Sequence, residues 1–258
     1  MKNLLLTGAN KGLGYAILTA TLQTTQDVHV YATARNLDKT PCQNNEKLTW
    51  VQVDLTNPKS IQDAQNAIPK TLHAICNNAG IGFGLGFKDT LNTNFWGTKR
   101  ICDAFLPRLV QGGRVCNIAS ASGPNYVSRL GNQEEKHLLL DSNVDIDALE
   151  NLAHKYEKIT DYDNAAYGLS KALVNAYTRY LARSHPNLVI NSCTPGYLLT
   201  DMTRGMGATK PPSEGVKAPL LLLFGEVGDA RGWYFGSDGL RSPLDRYRAP
   251  GDPPYVED

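Results

Sequence analysis

The feature that most constrains this chain is an alternation of short apolar runs with segments of helical spacing. Asn3–Thr7, Val28–Ala34, Leu48–Val53, Leu72–Cys76, Arg114–Ile118, Leu188–Cys193 and Gly232–Phe235 read as strands. Between them, Gly12 to about Thr24, a segment capped by Asn57 or Ser60 and running to Ile68, Leu91–Val110, Ala165–Ser184 and Ser213–Phe224 read as helices. Pro69, the Gly112-Gly113 pair and His185-Pro186 serve as their stops. Short buried strands that each feed a helix predict βαβ units and a mainly parallel sheet covered on both faces. The expected architecture is a doubly wound α/β fold, one domain over residues 1–239, with seven strands.

Two stretches break the rhythm. Residues 125–164 separate a strand from a helix that could be joined directly, and hold nine acidic residues against three lysines and Arg129. Asp147–Lys158 has helical spacing within it, so the stretch reads as a helical insertion with a solvated acidic face. The tail, 240–258, carries Pro243, Pro250, Pro253 and Pro254 and too few apolar residues for a core, so it is expected to wrap the surface or fray.

Composition excludes several classes of function. A net charge of +1 removes the electrostatic case for nucleic acid or an anionic membrane. The longest apolar runs, Leu138–Leu140 and Pro219–Phe224, are too short to span a bilayer. At the start of the chain three leucines give way to Thr-Gly-Ala-Asn, too short a stretch for a secretory signal. Five scattered cysteines (42, 76, 102, 116 and 193) predict reduced thiols in a cytoplasmic protein. The five histidines show no ligand spacing, so no metal is expected.

The turn after the first strand carries the first chemistry. Gly8, Gly12 and Gly14 have the spacing G-x-x-x-G-x-G where the strand feeds a helix. Glycines there permit positive φ and let the backbone approach a pyrophosphate, which the helix N-terminus attracts. After the second strand stands Arg35 in place of the acid that would accept from a ribose 2′-OH. Arg35 and Lys11 flank the expected adenosine ribose and could grip a 2′-phosphate, which makes NADPH the expected coenzyme. Asp54, closing the third strand, fits an acceptor for the adenine amino group or an N-cap for the next helix.

Tyr167 and Lys171 lie at i and i+4, on one helix face. A cation beside the phenol is expected to lower its pKa and make Tyr167 a usable proton donor. Ser120 follows the fifth strand and Asn77–Gly80 ends the fourth, both at the carboxyl edge where ligands bind in parallel sheets. Asn94 sits in the helix that follows. Phe83, Phe87, Tyr126 and Tyr197 are the aromatic candidates for a substrate wall, and Phe95 and Trp96 are expected in the core.

Thr7–Gly14, Asn77–Gly80, Asn94, Ser120, Tyr167/Lys171 and Pro195-Gly196 occur in the order seen in short-chain dehydrogenases/reductases. From Asn3 to about Phe235 the chain resembles that family, and Gly8–Gly12, Thr33–Arg35, Thr93–Thr98 and Pro195–Met202 are similar to its monomeric carbonyl reductases. The resemblance implies an NADPH-dependent oxidoreductase that reduces an aldehyde, ketone or quinone. It makes Tyr167 the proton donor, and Ser120 the group that polarises the carbonyl. Lys171 holds the nicotinamide ribose and tunes Tyr167, and Asn94 anchors a relay water. Gly8, Asn10, Lys11, Gly12, Leu13, Gly14, Arg35, Asp54, Leu55 and Asn78 contact the coenzyme, and Pro195, Gly196 and Thr200 border its nicotinamide. Gly123, three places on, selects Ser120 over Ser122. The loop 197–212, including Tyr197, covers the substrate. The insertion packs where oligomeric relatives dimerise, which implies a monomer. The sequence leaves open a biosynthetic ketone reductase or alcohol dehydrogenase with one substrate, a non-catalytic NADPH-binding regulator, and a tetramer.

Overall fold

The computed structural model describes residues 1–24, 27–41, 45–68, 71–159 and 165–256. Cys42 and Pro69, named above, lie outside them, as do two of the nine acidic residues of the insertion, Asp161 and Asp163. The strands are β1 Lys2–Leu6, β2 Val28–Ala34, β3 Leu48–Gln52, β4 Leu72–Asn77, β5 Leu109–Ile118, β6 Val189–Cys193, β7 Tyr234–Phe235 and β8 Arg241–Ser242. They form one sheet in the order β3-β2-β1-β4-β5-β6-β7-β8, parallel except for β8. After β3 the chain returns to place β4 on the other side of β1. The crevice at this switch point, outside the carboxyl ends of β1 and β4, is where doubly wound sheets bind ligands.

The helices are α1 Gly12–Thr24, α2 Pro58–Ala67, α3 Phe87–Leu91, α4 Gly97–Phe105, α5 Ser122–Arg129, α6 Gln133–Leu140, α7 Ile146–Glu157, α8 Ala165–Ser184 and α9 Lys217–Phe224. Alternation along β1 feeds two cores, since successive side chains leave opposite faces. Leu5 joins Ile75, Val115, Phe95 and Tyr177 beneath α4 and α8, while Leu4 and Leu6 join Ile17, Val30 and Leu222 beneath α1 and α9. Phe95 is fully buried, as expected; Trp96 is half-buried, with its indole N–H donated to Glu157 at 2.7 Å. Asn57 is the cap of α2, accepting from the N–H groups of Lys59 and Ser60, with Pro58 at the first helical position. The cap role considered for Asp54 is therefore taken by Asn57.

Several expectations are corrected. The segment 91–110 is not one helix: α3 runs into a π-turn over Asn92–Trp96, then α4, which gives way to a 3₁₀ turn at Leu106–Arg108 containing Pro107. Gly112 and Gly113 lie inside β5, with Gly112 at φ +73°, where the pairing with β4 shifts register. The first turn of the expected helix 213–224 is a 3₁₀ turn, Pro212–Val216. The tail supplies an eighth strand, because Arg241 stacks over the Trp233 ring at 4.1 Å and its carbonyl accepts from the Tyr255 N–H at 2.9 Å. In the insertion, Glu135 is buried rather than solvated, held by Lys155 at 2.6 Å and the Tyr156 hydroxyl at 2.8 Å. Cys76, Cys102, Cys116 and Cys193 are all buried and unbridged. A buried polar line ties the central strands to α8: Asn77 donates to Asn117 at 2.9 Å, and Asn117 donates to Thr178 at 2.8 Å.

Candidate active site

The glycine turn needs its glycines for different reasons. Gly8 and Gly12 have φ of +66° and +55°, the left-handed region. A Cβ on Gly8 would also lie 2.8 Å from the Cα of Ala79, and one on Gly14 would overlap the Gly8 carbonyl and the Asn78 amide. Thr7 fixes the neighbouring strand end, its hydroxyl accepting from the N–H groups of Asn78 and Ala79, each at 3.0 Å. Asn78 donates its side-chain amide to the carbonyls of Thr7 and Gly8 at 2.9 and 3.0 Å, so it shapes the turn from behind.

Around the turn, Arg35 is exposed at the end of β2. Asp54 accepts from the Thr56 N–H and hydroxyl at 2.9 and 2.7 Å. Burial pushes the Asp54 carboxyl up, but those bonds and the Arg35 charge outweigh it and hold it below the ordinary carboxylate range. Leu55 is buried against Gly97. Lys11 pairs with Asp201 at 3.0 Å, and Asp201 also accepts from Arg204 at 2.9 Å. The Thr200 methyl would lie 3.5 Å from a Cβ on Gly12, and Leu198 packs by Gly215 and Leu13's side, so the 198–204 segment rests on the turn. Gly196 takes φ +92° after Pro195.

The reacting cluster lies beyond β5. Tyr167 and Lys171 share one face of α8 and both are buried, with Lys171 Nζ 5.7 Å from the Tyr167 ring centre. Lys171 donates to the Ile118 carbonyl at 2.8 Å. Ser120 lies beside the Tyr167 phenol, close enough to favour its ionised form, and accepts from the Ser122 N–H at 3.2 Å. That geometry brings Ser120, not Ser122, to the tyrosine. Asn94, in the π-turn, accepts from the Ile81 N–H at 2.8 Å and donates to the Ile81 carbonyl and the Ser170 hydroxyl, each at 3.0 Å. π-turns inside helices recur at functional positions, and this one carries Asn94 to the wall behind Lys171.

The electrostatics correct one expectation. Burial pushes the Tyr167 phenol above its ordinary value, with Ser120 pulling weakly the other way, and Lys171 does not depress it. The same burial pulls the Lys171 ammonium down to about 8. Both ionised forms are penalised because neither group reaches water.

Of the four expected wall aromatics, only Phe83 meets the reacting group, its ring 4.5 Å from that of Tyr167. Phe87 is in the core, Tyr126 bonds Tyr156 within the insertion, and Tyr197 is exposed with its hydroxyl donated to the Met206 carbonyl at 2.5 Å. Met202, within the loop expected over the substrate, packs at Gly82.

The chain has known relatives. The profile of the short chain dehydrogenase family matches residues 2–132. Carbonyl reductase (NADPH) 1 of Mus musculus is 31% identical, the match covering 84% of this chain and 89% of that one. The chain belongs to the short-chain dehydrogenase family. The family fold is equally plain among solved structures. Salutaridine reductase from Papaver somniferum superposes with a TM-score of 0.78 at 23% identity, over 91% of this chain and 99% of that one. Menthone neomenthol reductase from Mentha piperita gives 0.74 at 20% identity, over 92% and 98%. As a short-chain dehydrogenase the chain is an oxidoreductase. Among its described residues, no helix is long and apolar enough to cross a membrane.

Proposed function

We propose that this chain is an NADPH-dependent reductase of aldehydes, ketones or quinones, with Tyr167 as the proton donor. The observation that carries this reading is the Ser120–Tyr167 pair, backed by buried Lys171, at the sheet edge beside the glycine turn. The turn fits a dinucleotide: Gly8 and Gly14 have no room for a Cβ, and α1 presents its N-terminus there. The NADPH named for the murine carbonyl reductase favours that coenzyme, as do Lys11 and Arg35.

NADPH supplies a hydride when bound. The Ser120 and Tyr167 hydroxyls hold the carbonyl oxygen by hydrogen bonds. As the C–H bond forms, the carbonyl π electrons move to oxygen, and the Tyr167 O–H proton passes to it. Preorganised donors in a dry site stabilise that developing charge. Lys171 carries a positive charge beneath Tyr167 and is placed to hold the nicotinamide ribose. Asn94 binds the Ile81 segment and Ser170 through its side chain and would anchor the water that relays protons to Lys171.

Lys11 and Arg35 are assigned to the 2′-phosphate. The Lys11–Asp201 pair is exposed, and exposed pairs exchange partners at little cost. Lys11→Ala and Arg35→Ala are each expected to raise the KM for NADPH roughly 10- to 100-fold, the worth of a charge-assisted hydrogen bond, and to leave the KM for NADH nearly unchanged. Parallel steady-state assays with the two coenzymes check this; equal losses with both would remove the 2′-phosphate assignment.

A monomer is the assembly we assign. Arg179 donates to the Leu140 carbonyl at 2.5 Å, and Arg183 to the carbonyls of Ser142 and Val144 at 2.8 and 2.6 Å, so the insertion is strapped onto α8. Light scattering is expected to return a mass of 28.2 kDa. A mass of two or four chains would overturn the assignment.

A further inference from the structure

We infer that Phe83 is a specificity-determining residue, an aromatic platform that selects flat, uncharged aryl carbonyl substrates beside Tyr167. This inference rests on the reductase reading above.

The segment between Gly80 and α3 gives Phe83 no packing role of its own. Gly82, Gly84 and Gly86 flank it, Gly84 has φ +82°, and nothing lies within 4 Å of where a Cβ on Gly84 or Gly86 would be. A large apolar side chain on such a loop has little core to join. Its ring is instead half-buried against Tyr167, the centres 4.5 Å apart and the planes tilted by 54°. Tilted contacts at this distance are the favoured arrangement of aromatic pairs. A carbonyl held by the Tyr167 and Ser120 hydroxyls therefore carries its substituent past the Phe83 ring.

Met202 packs on the same loop, at Gly82. A Cβ on Gly82 would lie 2.9 Å from the sulfur of Met202, so the missing side chain is what lets Met202 close on this loop. Methionine is unbranched and polarisable, and favours contact with aromatic groups. The loop that carries Phe83 is itself uncharged. Ile81–Phe87 has no ionisable side chain. Asp201, just before Met202, pairs with both Arg204 and Lys11. The segment that carries Phe83 thus offers a charged substrate no ionisable partner of its own.

The test compares rings of equal carbon count. With saturating NADPH, the KM for benzaldehyde is expected to be below that for cyclohexanecarbaldehyde. Benzamide is expected to bind the NADPH complex more tightly than cyclohexanecarboxamide, read by quenching of coenzyme fluorescence without turnover. Phe83→Leu keeps an apolar side chain and should shrink both preferences roughly three- to tenfold, the worth of an aromatic pair, whereas Phe83→Tyr should keep them. NADPH binding by the leucine variant establishes that it is folded. Unchanged preferences in Phe83→Leu, or no aryl preference in the wild type, would overturn the platform. Absence of NADPH oxidation with every carbonyl, with the benzamide preference intact, would overturn the reductase reading and leave the platform standing.

Discussion

Tyr167→Phe is expected to lower kcat by roughly 10²- to 10⁴-fold, the range contributed by a positioned general acid, while NADPH still binds. The variant keeps the ring packed on Phe83 and loses only the hydroxyl beside Ser120. Ser120 retains the Ser122 N–H, so the site is not left with an orphaned oxygen. Absorbance of NADPH during turnover and coenzyme binding by fluorescence read the two effects separately. A variant that kept a tenth of the wild-type rate would show that the proton comes from elsewhere. Because burial raises the Tyr167 phenol, the protonated donor form persists through neutral pH. The rate is thus expected not to fall between pH 6 and pH 8 through loss of this proton.

Lys171→Met should remove activity and stabilise the coenzyme-free protein at the same time. The ammonium is at about 8 in the fold against an ordinary 10.5, so folding a charged Lys171 costs free energy. A shift of that size corresponds to an upper limit of about 3 kcal/mol, lessened by the lost bond to the Ile118 carbonyl. The sign fixes the pH window. Between pH 8 and pH 10.5 the unfolded chain holds a proton on this lysine that the folded chain has released. Wild-type stability gains from this residue as pH rises through that window, and the lysine penalty is full below it. The variant should therefore melt above wild type at pH 7, with the gap closing toward pH 10. A lower melting temperature for the variant at pH 7 would mean that the Ile118 contact outweighs the burial cost. Stability given up for a charged group at a reaction centre is a common trade in enzymes.

How much of this was legible in the chain depends on the range of the determinants. The glycine turn and the Tyr167/Lys171 pair are local: three glycines at a strand end and an i, i+4 spacing specify their conformation wherever the element sits. The parallel sheet was legible for the same reason, since each strand is apolar and each crossover carries helical spacing. The break in 91–110 was hidden because a π-turn preserves the apolar face, as Phe95 and Ile101 both reach the core. Strand β8 has two residues and no periodicity to detect. Sorting the aromatics was out of reach: Phe83, Phe87 and Tyr126 have similar chemistry, and only the landing of α3 and α5 decides which ring meets Tyr167. Met202 on Gly82 and Lys11 on Asp201 join segments more than a hundred residues apart, and the flexible sequences around them specify no local shape. The depressed Lys171 was missed because burial, not its neighbour, governs it.

The buried cysteines acquire a different meaning beside such a reaction. Aldehydes and quinones are electrophiles, and thiolates are the protein groups that add to them most readily. The neighbouring Cys116 thiol, and then burial, push the Cys76 thiol well up; burial pushes that of Cys116 well up and that of Cys102 up to about 12, and all three are sealed in the two cores. These three sulfurs stay protonated and out of reach at neutral pH. A thiol-reactive carbonyl turned over by the proposed reductase would therefore leave these three positions chemically unmarked.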